Sequence, residues 1–414
     1  MAISARFYHH DLLNIQPIGG RQQRRRLSPS RQHSKSLGKG LSSSSALPAL
    51  PPTVLTIGEA LYDCLASDAD LGVSDVDKVT SWTPYPGGAP ANVATALARL
   101  GGAEGDAERS SLPHTVAFLT ALGNDGPGDA FLELLTQRGV DTSYVQRNAL
   151  PTREVLVTRD LSGDRTFAGF RNGGSKTMSS GGYADCEIGF DGRLDGLDGA
   201  VDVCVMGTLG LAYAVTGETM RRAADTLRGA AGTTVVIDVN WRPVFWEEYE
   251  AEEARNAVGD FLRTYGSGVV KMTDEEVEWL FAGELGREEA LRHPSRVLAK
   301  LPDVKVLLVS AGEFGSSYAA RGGGVRGGEV LEGRVPVLEV DRIADTTGAG
   351  DAYLAGFLHF MLKHGGIDAL RGDGGLLQRA VEFATACGAA TCLRAGAIGS
   401  QPTEAEAAAM LERQ

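Results

Sequence analysis

The stretch Asp345–Asp351 reads Asp-Thr-Thr-Gly-Ala-Gly-Asp, and the apolar run Ala352–Leu362 that follows has the composition of a helix. Glycine in a first helical turn costs about 1 kcal/mol against alanine, so two of them need a reason. Free backbone N–H groups and the helix dipole favour an anion at that end. The side chains of Gly348, Ala349 and Gly350 are small enough for their amides to close on one. A carboxylate beside such a cradle would repel a bound phosphate unless it serves another purpose. Asp351 can accept a proton from an attacking hydroxyl while the cradle stabilises charge on a transferring phosphoryl group. The plainer alternative is an aspartate that only stabilises the helix dipole, with glycines that only turn the chain. This stretch alone leaves both open.

A second glycine pair stands in YPGGAPANVATALARLG, where Gly87 and Gly88 precede a helix with Asn92 near its start. Gly-Gly permits close approach by a ligand, and an asparagine amide both donates to and accepts from sugar hydroxyls. The alternative is a turn before an ordinary helix.

Short β-branched runs alternate with helical stretches along the chain and position these residues. TVLTIG, HTVAFLTALG, VDVCVMG, TTVVIDVN, SGVVKM and VKVLLVS read as strands, with helices between them. Nearly continuous apolar strands separated by helices predict an α/β fold, a mainly parallel central sheet covered on both faces. Ligands of such sheets bind at the carboxyl ends of the strands. Two segments break the rhythm. Arg153–Arg171 alternates with period two around Ser-Gly-Asp and predicts a β-hairpin, and the region near 60–86 is strand-like without an intervening helix. Together, the segments near 60–86 and 151–172 predict a small β-lid over the site. AEGDAERSSLPH and SSGGYADCEIGFDGRLDGLDG read as surface loops.

The net charge of −13 is unevenly spread. Residues 1–57 hold eight Lys/Arg and one acid, leaving 32 basic and 52 acidic groups in the rest. An acidic body lacks the basic footprint of a nucleic-acid binder, so no nucleic-acid partner is expected. No apolar run reaches the length of a membrane span, so no membrane partner is expected either. The five cysteines contain no Cys-x-x-Cys pair and read as reduced thiols. Residues 1–50 are Arg/Ser-rich and nearly free of acids, as in an organelle transit peptide; a disordered tail with no address is the alternative. The expected location is a plastid (chloroplast), with mitochondrion and cytoplasm as the other readings. The catalytic domain is expected over residues 51–414.

In order and in kind, these motifs resemble the phosphofructokinase-B-type sugar kinases, the ribokinase-like family, over about Val54 to Leu411. The resemblance implies a three-layer sandwich with a small β-strand lid. GEALYD matches the first strand and implies that Asp63 binds sugar hydroxyls. GGAPANVA matches the first signature and implies that Gly87, Gly88 and Asn92 line the sugar pocket. GNDGPGDAFLELLTQRGVDT is the usual following unit. DTTGAGDAYLAGFL matches the second signature, implying that Asp351 is the catalytic base and Gly348, Ala349 and Gly350 the anion hole.

Within the family the chain looks most like the fructokinases. FRNGGSKTM implies a sugar contact for Arg171. DVNWRPVFW resembles the Asp-x-Asn-x-Arg stretch of fructokinases and ketodeoxygluconate kinases and puts Asp238, Asn240 and Arg242 at a strand end; the alternative is a terminus held by polar contacts. In KMTDEEVEWL, Thr273 replaces the family's Asn, while Glu276 retains the Glu that helps organise Mg²⁺ and phosphate, often through water. An ordinary acidic helix start is the alternative there. VSAGEFGSS implies that Ser310, Gly312 and Gly315 approach ATP. Thr385 stands where many fructokinases have Asn, so no adenine contact is carried over to it. Asp345, Thr347, Thr391, Arg394, Gly396 and Ser400 match a monovalent-cation site (K⁺), some through backbone carbonyls. The resemblance therefore implies an ATP- and Mg²⁺-dependent kinase acting on a primary hydroxyl, that of fructose first. Another sugar or ketodeoxy-acid such as ribose or ketodeoxygluconate, or a non-catalytic fructokinase-like plastid protein, is the alternative. Lids of the family pair between subunits in some members, which implies a homodimer.

Overall fold

A computed structural model describes residues 53–103, 113–161, 165–171, 181–194, 197, 200–229, 232–323 and 329–413. The basic tail, most of the AEGDAERSSLPH loop, the Ser-Gly-Asp turn of the hairpin and the residues just after Arg171 lie outside the described residues.

The chain enters on β1 (Thr53–Ile57), turns through β2 (Leu61–Ala66) and β3 (Trp82–Gly87), and runs into α1 (Ala89–Leu100). β4 (Thr115–Leu119) and β5 (Ala121–Gly123) precede α2 (Gly126–Gln137). The sequence predicts one strand over β4 and β5. The structure divides it because β1, the partner of β4, ends at Ile57, and the chain then pairs with β6 (Gln146–Asn148) instead. β7 (Arg153–Arg159) and β8 (Arg165–Phe170) form the predicted hairpin. A regular alternation follows: β9 (Val203–Met206), α3 (Ala214–Gly229), β10 (Thr234–Asp238), α4 (Ala251–Tyr265), β11 (Val269–Thr273) and α5 (Asp274–Leu280). Short helices α6 (Arg287–Arg292) and α7 (Pro294–Ala299) lead to β12 (Val306–Ser310), β13 (Ser316–Arg321) and β14 (Val330–Val335). The chain closes with α8 (Ala349–Lys363), α9 (Gly366–Gly372), α10 (Gly374–Thr391) and α11 (Glu404–Leu411).

The main sheet has the order β14-β13-β12-β11-β10-β9-β1-β4. Its six strands from β4 to β12 are parallel, and β13 and β14 add an antiparallel edge. Successive side chains of a strand face opposite sides, so each apolar run feeds two cores. Leu55, Cys204, Ile237, Met272 and Val309 pack on one face with Leu227 of α3, Phe261 of α4 and Val277 of α5. Val54, Val205, Val236, Val269 and Leu308 pack on the other with Leu97 of α1, Phe357 of α8 and Ala384 of α10. The result is the expected helix–sheet–helix sandwich. No helix among the described residues is long and apolar enough to cross a membrane.

The two segments that break the βα rhythm meet in a separate four-stranded sheet of order β3-β2-β7-β8. Its attachment is built around Arg153, which is fully buried. Nε and Nη2 of Arg153 each donate to Asp185 at 2.8 Å, and the guanidinium carbon lies 4.7–5.4 Å from the ring centroids of Phe170, Tyr183, Tyr213 and Phe245. The surface-loop reading of the segment containing Tyr183 is therefore corrected. Tyr183, Ala184, Asp185 and Ile188 are buried in short 3₁₀ turns against the main core. Its glycines and acids suggested solvent, but Asp185 is there to neutralise a buried arginine.

Candidate active site

All six parallel strands point their carboxyl ends to one edge of the sheet, and the chemistry-bearing residues gather there. The chain leaves β1 through Gly58-Glu59, β10 ends in Asp238, β11 runs into Glu276, and β12 ends in Ser310. α1 and α8 pack side by side on the same face, which brings two distant stretches of sequence together. Asn92 Nδ2 donates to Asp351 Oδ2 at 2.7 Å. Asn92 is buried, and its Oδ1 has no hydrogen-bond partner among the described residues.

The glycines ahead of these helices are fixed by local geometry. Gly348 caps α8 at φ 79°, and a Cβ there would lie 2.7 Å from the Cβ of Ala397. Gly88 caps α1 at φ 96°, where a Cβ would lie 2.6 Å from the Glu59 carbonyl. Side chains disfavour both conformations. At Gly350, which has no left-handed φ, a Cβ would lie 3.2 Å from Lys271 Nζ, a tight contact.

Asp351 is half-buried in the first turn of α8. Loss of hydration and the negative charge of Asp238 push its carboxyl up to about 6, against the opposing pull of Lys271, Asn92 and Arg242. A base that titrates close to neutral is suited to taking a proton from a hydroxyl. The alternative of a simple dipole-stabilising aspartate explains neither the raised value nor the asparagine from α1.

Asp63 lies on β2 opposite Tyr85, and a Cβ on Gly87 would be 3.0 Å from Asp63 Oδ2. These two sugar-site candidates thus adjoin. Arg171 follows β8, with Nε 3.5 Å from Glu154 Oε2 and its backbone N–H donating to the Glu154 carbonyl. The Tyr183 hydroxyl donates to the Arg171 carbonyl at 3.0 Å. Arg171 is therefore anchored at the end of the small sheet. Among the described residues, no hydrogen bond or ion pair connects it to Asp351.

Glu276 forms a capping box with Thr273, the residue that replaces the family's Asn. Its Oε2 accepts from the Thr273 N–H at 2.8 Å and its Oε1 from the Trp241 N–H at 2.7 Å. Asn240, at φ 39°, turns the chain so that this amide points at Glu276. Burial, aided by Asp238, raises the carboxyl of Glu276, against Lys271 and the two amides. Among the described residues, no group of three or more His, Cys, Asp or Glu could hold a metal alone. Both Glu276 oxygens already accept a backbone N–H, so this carboxylate would meet a phosphate-bound Mg²⁺ through one of the ion's waters.

Ser310, Gly312 and Gly315 form a tight loop between β12 and β13, with the Ala311 N–H donating to the Gly315 carbonyl at 2.8 Å. Beyond it, the Ser316 and Thr385 hydroxyls lie 3.5 Å apart, which ties this loop to α10. The cation-loop residues are also drawn together. Asp345 Oδ1 accepts from the Thr347 N–H and Oγ1, its Oδ2 accepts from the Gly396 N–H at 2.9 Å, and Ser400 Oγ donates to the Ala397 carbonyl. Two side chains turn away: Thr391 Oγ1 donates to the Cys387 carbonyl and Arg394 pairs with Glu406 at 2.7 Å.

Two residues escaped sequence reasoning. Glu59 is buried, and burial together with the charges of Asp185 and Asp351 pushes its carboxyl up to about 8, while its Oε1 accepts from the Ala89 N–H at 3.1 Å. Lys271 is buried on a central strand, and its Nζ donates to both Asp238 oxygens at 3.0 Å. The signal in the sequence was a lysine inside the apolar run SGVVKM, where only a paired charge can be buried.

An anion cradle and a near-neutral carboxylate at the carboxyl edge of a doubly covered sheet form the equipment of a kinase acting on a hydroxyl. The sequence profile described as pfkB family carbohydrate kinase matches residues 52–404, and the chain belongs to that family. It is similar to fructokinase-1 of Oryza sativa subsp. japonica, with 29% identity over 360 residues, covering 87% of this chain and 97% of that protein. It is 30% identical over 382 residues to a probable fructokinase-6, chloroplastic, of Arabidopsis thaliana, covering 92% of this chain and 86% of that one. Its fold superposes on the crystal structure of a fructokinase with bound ATP from Xylella fastidiosa with a TM-score of 0.68 at 24% identity, covering 87% and 98% of the two chains.

Proposed function

We propose that this carbohydrate kinase transfers the γ-phosphoryl group of ATP to the primary hydroxyl of fructose, giving fructose 6-phosphate and ADP. The observation that carries the reading is Asp351, held by Asn92 at the mouth of a glycine-opened helix and titrating near 6. In the step, Asp351 takes the hydroxyl proton, the sugar oxygen bonds to the γ-phosphorus, and the bond from that phosphorus to the bridging oxygen breaks, so ADP leaves with its electron pair. The Gly348, Ala349 and Gly350 amides stabilise charge on the transferring group. Asp63, Gly87, Gly88, Asn92 and Arg171 hold the sugar, and Ser310, Gly312 and Gly315 approach the nucleotide. Mg²⁺ would be held by the ATP phosphates and, through water, by Glu276, and when bound it neutralises phosphate charge. The small sheet acts as a lid that keeps water from the phosphoryl group. The fructokinase relatives support the choice of sugar, and the chloroplastic one supports a plastid address for the basic tail.

The deciding measurement is a panel of fructose, glucose, ribose and ketodeoxygluconate with ATP and Mg²⁺. Fructose is expected to show a kcat/KM at least about tenfold above the others, since a site that pairs buried polar groups with one set of hydroxyls rejects their absence. Transfer to none of them would overturn the reading in favour of a binding protein.

A K⁺ requirement is a second expectation, because Asp345, Thr347, Gly396 and Ser400 converge next to the cap of α8. Replacing K⁺ by a bulky organic cation at constant ionic strength should lower kcat. Equal rates would show that the hydrogen bonds of Asp345 close the loop without an ion.

A further inference from the structure

We propose that the buried Lys271–Asp238 pair is a positioning unit for Asp351 and the glycine cradle: it seats the first turn of α8 on the ends of β10 and β11 and keeps a fixed positive charge next to the base. This rests on the reading of Asp351 as the base. Lys271 Nζ lies 3.0 Å from each Asp238 oxygen, with both side chains almost wholly withdrawn from water. A Cβ at position 350 would come within 3.2 Å of the ammonium, a tight contact that places Gly350 directly over the lysine. Gly350 therefore serves the lysine beneath it as well as the anion above it. A phosphoryl site needs its donors and base fixed before reaction, and a rigid ion pair under the first turn achieves this without a mobile side chain.

The groups that face Asp351 come from each neighbouring element: Glu59 after β1, Asn92 on α1, Asp238 on β10, Arg242 after it, and Lys271 on β11, with Glu276 of α5 acting on that lysine. Burial alone would lower the Lys271 ammonium, but Asp238, Glu276 and Asp351 outweigh it and keep it charged. Of the pair, Asp238 disfavours and Lys271 favours an ionised Asp351.

The experiment uses the full chain with saturating fructose, ATP and Mg²⁺. Lys271→Gln should move the acid midpoint of the kcat–pH profile up by about one pH unit, Asp238→Asn should move it down, and the double variant should fall between them. Shifts of the same sign, or a uniform loss of kcat without a shift, would overturn the proposal. Each single variant leaves one charge buried alone and can misfold, so a second cycle is run on the charge-balanced background. Gly350→Ala should lower kcat by about tenfold in the native chain, yet cost about threefold or less in the Asp238→Asn/Lys271→Gln chain, whose shorter side chain leaves room for the methyl. Equal costs in both backgrounds would sink the seating role. The same four proteins titrated calorimetrically with ATP should show the same coupling in affinity. If the native chain phosphorylates no sugar, the base reading fails, while the ATP coupling still decides whether Lys271 seats the cradle.

Discussion

Asp351→Asn should lower kcat by at least about 10²-fold, the lower end of what general-base catalysis contributes. The amide preserves size, and its oxygen can still accept from Asn92 Nδ2 as the carboxylate does at 2.7 Å. It cannot take a proton at neutral pH. Because the free carboxyl titrates at about 6, the native rate should rise as pH increases through that value, where Asp351 becomes ionised. The residual activity of the variant should lack that limb. ATP affinity should hold or improve, because a negative charge close to the phosphates is gone. An aspartate serving only the helix dipole predicts the reverse pattern: a small loss of stability with kcat intact. A kcat–pH series on both proteins, with ATP affinity measured separately, distinguishes the two.

The sheet was legible because burial on both faces leaves little choice of residue. TVVID is apolar at every position but its two ends and VLLVS at every position but its last, and each became a central strand. The same logic failed at the sheet edge. β14 reads VLEGRV, with exposed residues alternating along an antiparallel edge, and its pattern is too weak to separate from a loop. At the site, Gly348 and Gly350 stood out because glycines at a helix start run against local propensity, and such departures draw attention to a candidate site. The sequence spacing between Asn92 and Asp351 says nothing of their contact, which follows only from α1 and α8 packing on one face. Lys271 and Arg153 were passed over for a related reason. A charge inside a strand looks like a solvent-facing residue until its partner is found, and each partner is more than thirty residues away, Asp238 for one and Asp185 for the other. The Gly/Asp-rich segment around Asp185 was misread because composition reports average exposure, whereas one acid there balances one buried arginine.

Arg153→Met should destabilise the protein by about 3–5 kcal/mol, the cost of removing one partner from a buried ion pair. The loss has two sources. Asp185, 2% exposed, is left as an uncompensated charge, and the guanidinium no longer fills the space among Phe170, Tyr183, Tyr213 and Phe245. Methionine replaces much of the stem and adapts to an irregular cavity, so the charge should dominate. Arg153→Met/Asp185→Leu should therefore regain at least half of the lost stability, because a buried pair exchanged for apolar side chains is often neutral. Urea unfolding of the three proteins measures this directly, with the midpoint falling and the slope unchanged in the single variant. The location of the pair adds a functional arm. Arg153 opens β7, Phe170 ends β8, and Tyr213 and Phe245 follow β9 and β10, so the cluster joins the small sheet to the main one. Loosening it should raise the KM for fructose well above any change in the KM for ATP, and should speed amide exchange in β7 and β8 before the central strands. A single variant as stable as the native chain would mean that the aromatic box alone holds the joint, and that the arginine is replaceable there.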